Sequence, residues 1–305
     1  RLAKIPVHVE YFGSPEDLYK EKGYLVEALK SQGILILNSD DEDVLLFEKE
    51  GVENIIKYGF HEPADLMVRD MSVIYEERET SNVVFDVPIG VSFKIFKDSE
   101  DVEVKLKGLL GSQHAYAVLA AFSVGRALDL DLKGMANAFE SFIPTNGRMR
   151  IINGIKNTTI IDDTYNSSPV AVFEALKTLG FLSTEGRKIA VLGDMLELGV
   201  FSTEEHKKTG EIVASTCDLL FTVGVRARNI AEGALNAGMS EKNIFQFEDG
   251  VSAGKDLDAK IQSGDIVLIK GSQSMKMEKT VEEIMAEPKR KKNLLVRQDE
   301  EWQKR

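Results

Sequence analysis

The chain has 305 residues, with 38 Lys and Arg against 50 Asp and Glu and a formal charge of −12 at pH 7. A balance this acidic excludes nucleic acid as a partner, because a phosphate backbone needs a basic face. No apolar run approaches the ~20 residues that a bilayer span needs, so no membrane association is expected. The length suggests two domains, or one large α/β domain with an appendage. The lone cysteine, Cys217, fits a reducing, cytoplasmic compartment and a small buried side chain better than a disulfide framework or a catalytic thiol.

The first 30 residues hold a helical stretch, SPEDLYKEKGYLVEALK, with Ser14 as N-cap before Pro15. GILILNSDD (Gly33–Asp41) reads as a buried strand that ends in polar residues. Between Ala64 and Gly108 the pattern alternates in strand-length runs such as VVFDVPIGVSFKIF, which predicts antiparallel strands. Two amphipathic helices follow, AYAVLAAFSVGRALDL and LKGMANAFESF, and Pro144-Thr145-Asn146-Gly147 breaks the pattern as a domain boundary. RMRIINGIKNTTIIDD then predicts a hairpin turning on Asn153-Gly154. Beyond it, helix and strand alternate strictly to MEKTVEEIM, which predicts a mostly parallel sheet with helices on both faces. The last residues, 288–305, form a basic polar stretch that reads as a solvated terminus rather than a binding arm.

Chemistry concentrates where apolar runs stop. IIDDTYNSSP delivers Asp162, Asp163, Tyr165 and Asn166 to a strand end, where carboxylates suit ribose hydroxyls or an ammonium group. The same residues also read as a helix start, with Asn166 or Ser167 capping and Pro169 in the first turn. IAVLGDMLELG carries Asp194 and Glu197 toward the same crevice. His206 follows a Ser202-to-Glu205 capping box and reads as a structural or solvated histidine. LIKGSQSMKME is a further strand-to-helix junction, where Lys270 and the Gly271 and Ser272 amides suit an anion.

Taken together, DDTYNSSP, VLGDMLELG, His206 and KGSQSMKME resemble the C-terminal domain of the Mur ligases in order and spacing. Upstream, PVHVEYFGSPEDLYKEKGYL, ILNSDDE and LLGSQHAYAVLAA resemble the second half of that family's central ATPase domain, and PTNGRM its hinge. The resemblance covers the chain from about Pro6 to Glu283. It implies a partial central domain over residues 1–145, a mixed sheet with helices. A doubly wound, Rossmann-like C-terminal domain over 146–287 and the basic tail over 288–305 complete the expected layout.

The resemblance further implies an ATP-dependent amide-bond ligase of peptidoglycan-precursor synthesis. The expected branch adds D-alanyl-D-alanine to UDP-MurNAc-tripeptide through an acyl phosphate, as a monomer. His8 matches the histidine of the second magnesium, and Lys22 the lysine that the family carbamoylates into a metal ligand. Read without the resemblance, Lys22 is a solvated helix lysine. Arg148 matches the arginine that reaches the ATP phosphates; Asp163 matches the ribose position, Asn166 belongs to the same nucleotide-binding signature, and His114 lies where the family contacts adenine. Asp194, Glu197, Lys270 and Ser272 match the wall that receives the dipeptide.

The chain departs from the family at Gln113-His114, Ala117 and Gln273, where His-Asn, Asn and Arg are usual. No GxxGK[ST] phosphate loop occurs in the sequence, and the chain opens on Arg1. A C-terminal fragment of a longer ligase is therefore expected. Two other readings stand beside it: a Mur-type ligase that adds a single amino acid, and a non-catalytic nucleotide-binding or partner-binding module.

Overall fold

The computed structural model describes residues 14–48, 52–80, 83–98 and 100–303. It divides into two compact units that are not continuous in sequence, whereas the division expected from the turn at Pro144–Gly147 is. The first unit takes residues 1–72, 91–107 and 112–142; the second takes 73–90, 108–111 and 143–305.

The first unit opens with α1 (Pro15–Glu27), where the Ser14 hydroxyl accepts from the Asp17 amide and Pro15 fills the first helical position. β1 (Ile34–Asn38), α2 (Glu42–Leu45) and β2 (Asn54–Gly59) follow, with β1 and β2 parallel. Next come β3 (Leu66–Thr80), β4 (Val83–Lys97) and β5 (Glu100–Lys107). The five strands form one sheet in the order β1-β2-β3-β4-β5. Connections as short as those between β3, β4 and β5 join only antiparallel neighbours. In β5 only alternate residues, Val102, Val104 and Leu106, are buried, as a strand with one face on the core requires. α3 (Gln113–Ala127) buries Ala115, Val118, Leu119 and Phe122, the apolar stripe of a 3.6-residue period, and α4 (Leu132–Ala138) follows.

The second unit is built on a six-stranded sheet, order β10-β9-β8-β11-β7-β6. Its elements are β6 (Arg150–Asn153), β7 (Thr159–Asp163), α5 (Pro169–Phe181), β8 (Lys188–Gly193), α6 (Ser202–Thr216), β9 (Leu219–Val223), α7 (Arg228–Asn236), β10 (Ile244–Phe247), α8 (Gly250–Lys260), β11 (Ile266–Lys270) and α9 (Glu278–Ile284). β6 runs antiparallel to β7, and the other pairings are parallel. Every residue of β7, β9 and β11 is buried, which is why these strands read as unbroken apolar runs. The chain steps outward from β8 to β9 and β10 on one side, with β11 and β7 on the other. The switch point therefore lies between β8 and β11, where open α/β sheets bind ligands. The far part of the β3–β4 hairpin belongs to this unit: the Tyr75 hydroxyl accepts from the Ser183 amide, and Arg78 donates to the Asn153 side chain.

Three local expectations are corrected. The β6–β7 hairpin does not turn on Asn153-Gly154; Asn153 pairs with Thr159 and the reversal runs through Ile155–Asn157, with Lys156 and Asn157 at positive φ. Ser168, rather than Asn166 or Ser167, caps α5 through the Ala171 amide. Ser202 makes no capping box, because it is already helical and its carbonyl accepts from His206.

The larger correction concerns the C-terminus. Residues 288–303 are not a solvated tail: they form a 3-10 turn and the short helices α10 (Lys291–Leu294) and α11 (Glu300–Gln303). Leu295 is buried in the same core cluster as Ile284 and Met285. Leu295 and Val296, with half-buried Leu294 beside them, outweigh the flanking charge, because fully burying such a side chain stabilises by roughly 1.5–3 kcal/mol.

Candidate active site at the carboxyl ends of the second sheet

β7 ends in two aspartates, and successive strand side chains point to opposite faces. Asp163 faces Lys270, its register partner on β11, and the ammonium lies 2.6 Å from Oδ2. The same ammonium donates to the carbonyl of Asn166 at 2.8 Å, while Asp163 Oδ1 accepts from the Met149 amide at 3.1 Å. Both side chains are buried, so the pair survives desolvation only because each partner also has a backbone contact.

Asp162 faces away from that pair and is fully buried. Its Oδ1 accepts from the Thr164 amide and hydroxyl, and its Oδ2 is buried with no partner. Burial pushes its pKa up to about 6, and the neighbouring Asp163 and Glu278 charges push the same way against the two Thr164 hydrogen bonds.

The loop after β7 is tied to the strand-entry segment. The Tyr165 amide donates to the Gly147 carbonyl at 3.1 Å. Gly147 has φ +65°, and a Cβ there would lie 2.7 Å from Val296 Cγ1 and 3.0 Å from the Tyr165 nitrogen, so no larger residue fits. Exposed Arg148 lays its guanidinium over the Tyr165 ring, 3.9 Å from the centroid. Arg148, Asp163, Asn166 and Lys270 thus come together around one loop.

The expected dipeptide wall is satisfied from within. The Asp194 carboxylate accepts from the Ala227 amide at 2.7 Å, and its carbonyl accepts from the Ser272 amide at 3.0 Å. The Ser272 hydroxyl accepts from the Leu196 amide at 2.8 Å. The Ser272 amide is therefore not available to an anion, and Lys270 is committed to Asp163, which corrects the reading of this turn as an open anion cradle. A Cβ at Gly271 would lie 3.2 Å from the Gly193 Cα, so the ends of β8 and β11 close on each other at the switch point. Glu197 is half-buried in a left-handed backbone, φ +62°.

His206 is fully buried. Its Nε2 accepts from the Met195 amide at 3.0 Å, and its Nδ1 stands 2.6 Å from the Ser202 carbonyl. Those contacts require a neutral ring with the proton on Nδ1, and burial lowers its pKa. Its role is to brace the Asp194–Glu197 loop. Burial likewise pushes the Cys217 thiol up to about 12, which makes it inert.

In the first unit, Lys22 is exposed on α1, and His114 sits half-buried in the first turn of α3. The Oε1 of neighbouring Gln113 is buried without a partner. His8 lies outside the described residues. Sequence reasoning missed a nearby hub: Asp40 accepts from the Phe60 amide at 2.6 Å, the His61 amide at 3.1 Å and the Tyr116 hydroxyl at 2.9 Å. Burial alone would raise the Asp40 pKa, but these donors and His61 together hold it below the usual value. Among the described residues, no group of three or more His, Cys, Asp or Glu could hold a metal ion. Unmodified Lys22 is a cation and cannot itself ligate a metal ion. No described helix is long and apolar enough to cross a membrane.

Two family models match the chain: the Mur ligase middle domain over residues 5–125 and the Mur ligase glutamate ligase domain over residues 147–273. The chain belongs to the Mur ligase family. A UDP-N-acetylmuramoyl-tripeptide–D-alanyl-D-alanine ligase of Bacillus subtilis is 27% identical over 284 residues, which covers 92% of this chain and 57% of that protein. The Buchnera aphidicola enzyme of the same name, from the Acyrthosiphon pisum endosymbiont, is 28% identical, with 93% of this chain and 59% of that protein covered. Among solved structures, the MurF ligase from Thermotoga maritima in complex with ADP matches at TM-score 0.72 and 27% identity, covering 90% of this chain and 58% of that one. The Mur ligase fold expected from the sequence is therefore present, and the chain spans a little over half the length of the curated relatives it matches.

Proposed function

We propose that this chain carries part of the active site of an ATP-dependent ligase that joins D-alanyl-D-alanine to a UDP-N-acetylmuramoyl-tripeptide. The observation that carries the reading is the cluster of Arg148, Asp163, Asn166 and Lys270 around the loop after β7, beside the sheet's switch point and in the order the family uses. A carboxylate oxygen of the tripeptide attacks the γ-phosphorus of ATP, the bond to ADP breaks, and an acyl phosphate forms. The dipeptide amine then attacks the acyl carbon, gives up a proton to a base, and expels phosphate as the amide forms.

Each step gathers negative charge, which a preorganised cation stabilises. Arg148 is exposed and rests on Tyr165, so swinging onto the transferring phosphoryl group costs it one cation–π contact. Asp163 serves the ribose hydroxyls, with Asn166 on the same loop. Lys270 acts through Asp163, whose carboxylate it holds in place, and Asp194 and Ser272 shape the dipeptide wall through their backbone links. The same reading makes the protein a cytoplasmic monomer.

The test is ligation, followed by product mass. The protein as its gene encodes it is expected to form the pentapeptide product from ATP, tripeptide and D-alanyl-D-alanine, and to reject single amino acids. The 305-residue chain alone, which contains no GxxGK[ST] loop, is expected to show no turnover. Product from single amino acids only, or turnover by this chain alone, would contradict the reading.

Lys22 is the residue we assign to carbamoylation, which would replace its ammonium with a carboxylate-like magnesium ligand. Its exposure on α1 leaves the amine open to CO2. Lys22→Ala in the gene-encoded protein is expected to lose most ligation and to recover part of it with added acetate or formate. Unimpaired activity would remove the carbamate.

A further inference from the structure

Arg297 lies in the C-terminal segment, beyond the residues that either family model matches, yet its side chain is only 5% exposed. Its Nη2 donates to the Thr164 carbonyl at 2.6 Å and to the Glu278 carboxylate, and its Nη1 donates to the Tyr165 carbonyl at 3.2 Å. Glu278 is itself buried, with 3% of its side chain exposed. Arg297 holds this position in a left-handed backbone, φ +57°, which costs a non-glycine residue of order 1 kcal/mol or more. The planar guanidinium can serve two carbonyls and a carboxylate at once, which a lysine ammonium on a flexible stem cannot do in fixed geometry.

The residues just before it grip the other half of the site. The Leu295 carbonyl accepts from the Asn146 side chain at 3.0 Å, and the Asn293 carbonyl accepts from Arg150 at 3.3 Å. Val296 fills the space that a side chain at Gly147 would need. One short segment therefore fastens both stretches that present the nucleotide-facing residues: 146–150, which carries Arg148, and 163–166, which carries Asp163 and Asn166. Packing of a terminus needs only Leu295 and Val296 in the core; it does not need a buried cation on two loop carbonyls.

We propose that Arg297 is a positioning residue for the reaction, fixing the Asp163–Asn166 loop in the shape that receives the ATP ribose. This rests on the ligase reading above. It acts through the Thr164 and Tyr165 carbonyls, not by touching substrate. In the absence of Arg297 the loop loses its Thr164 and Tyr165 carbonyl anchors, and the nucleotide must pay for ordering it when it binds.

The test compares the gene-encoded protein with Arg297→Lys and with the double variant Glu278→Gln/Arg297→Met, which removes the buried charge pair together. Ligation gives kcat and the KM for ATP, and thermal melting gives folding. The double variant is expected to melt near the parent, to raise the KM for ATP about tenfold, and to leave kcat within about threefold. Arg297→Lys is expected to fall between the two. A double variant with a parental KM overturns the proposal. If the double variant does not fold, Arg297→Lys decides: a raised KM in a folded protein supports positioning, and a parental KM overturns it. A parent that makes no ligation product overturns the ligase reading and this inference with it. An active parent whose KM ignores Arg297 overturns the inference alone.

Discussion

Lys270→Met is expected to cost the second unit about 3–5 kcal/mol of stability, the loss typical when one partner of a buried ion pair is removed. Met matches the length of the lysine stem, so the loss comes from charge rather than from a cavity. Asp163 would be left buried, with only the Met149 amide as donor among the described residues. Urea unfolding of the 305-residue chain, followed by circular dichroism, reads this directly. Adding Asp163→Asn to Lys270→Met should recover most of the loss, because a neutral amide needs no counter-charge. A loss under about 1 kcal/mol for the single variant would mean that the pair contributes no more than an exposed one.

Asp162→Asn should do the reverse and stabilise the chain at neutral pH. The folded chain holds the Asp162 proton up to about pH 6, whereas the ordinary value is 3.8, so folding is favoured by acid across that window. The contribution is full below about 3.8, fades as pH rises, and is lost above about 6. The complete penalty is about 3 kcal/mol, taken from the size of the gap. The asparagine keeps an acceptor for Thr164 and carries no charge toward Glu278 or Asp163. Its gain should be present at pH 7.5 and absent at pH 4. His206 works in the opposite sense: burial lowers its pKa, so its contribution is lost as pH falls below the ordinary histidine range. Comparing variant with parent at each pH cancels His206 and isolates Asp162. An equal gain at both pH values would show that shape, not charge, sets the effect.

The strand ends were legible because burial and chemistry change abruptly there. Ile160-Ile161 passing into Asp162-Asp163, and Leu268-Ile269 into Lys270, mark both the elements and the site, and the second sheet follows the expected order of helix and strand. What stayed hidden was pairing between distant parts of the chain. Nothing in the spacing says that Lys270 is spent on Asp163, or that the Ser272 amide is spent on Asp194. Both look like free ligand-binding groups until β11 is laid between β7 and β8. Charge masked the apolar signal in the C-terminal segment, where Lys289–Lys292 precede a run that buries Leu295. Asp40 was hidden by distance, since its partners Phe60, His61 and Tyr116 lie 20 to 76 residues away.

The central claim is that the loop around Asp163 meets the ribose of ATP. Its most direct test is kcat/KM for ligation by the gene-encoded protein with ATP and with 2′,3′-dideoxy-ATP. Losing the hydroxyl contacts is expected to lower kcat/KM for the dideoxy nucleotide about tenfold or more, and Asp163→Ala should bring the two nucleotides close to parity. Equal use of both nucleotides by the parent protein would contradict the account.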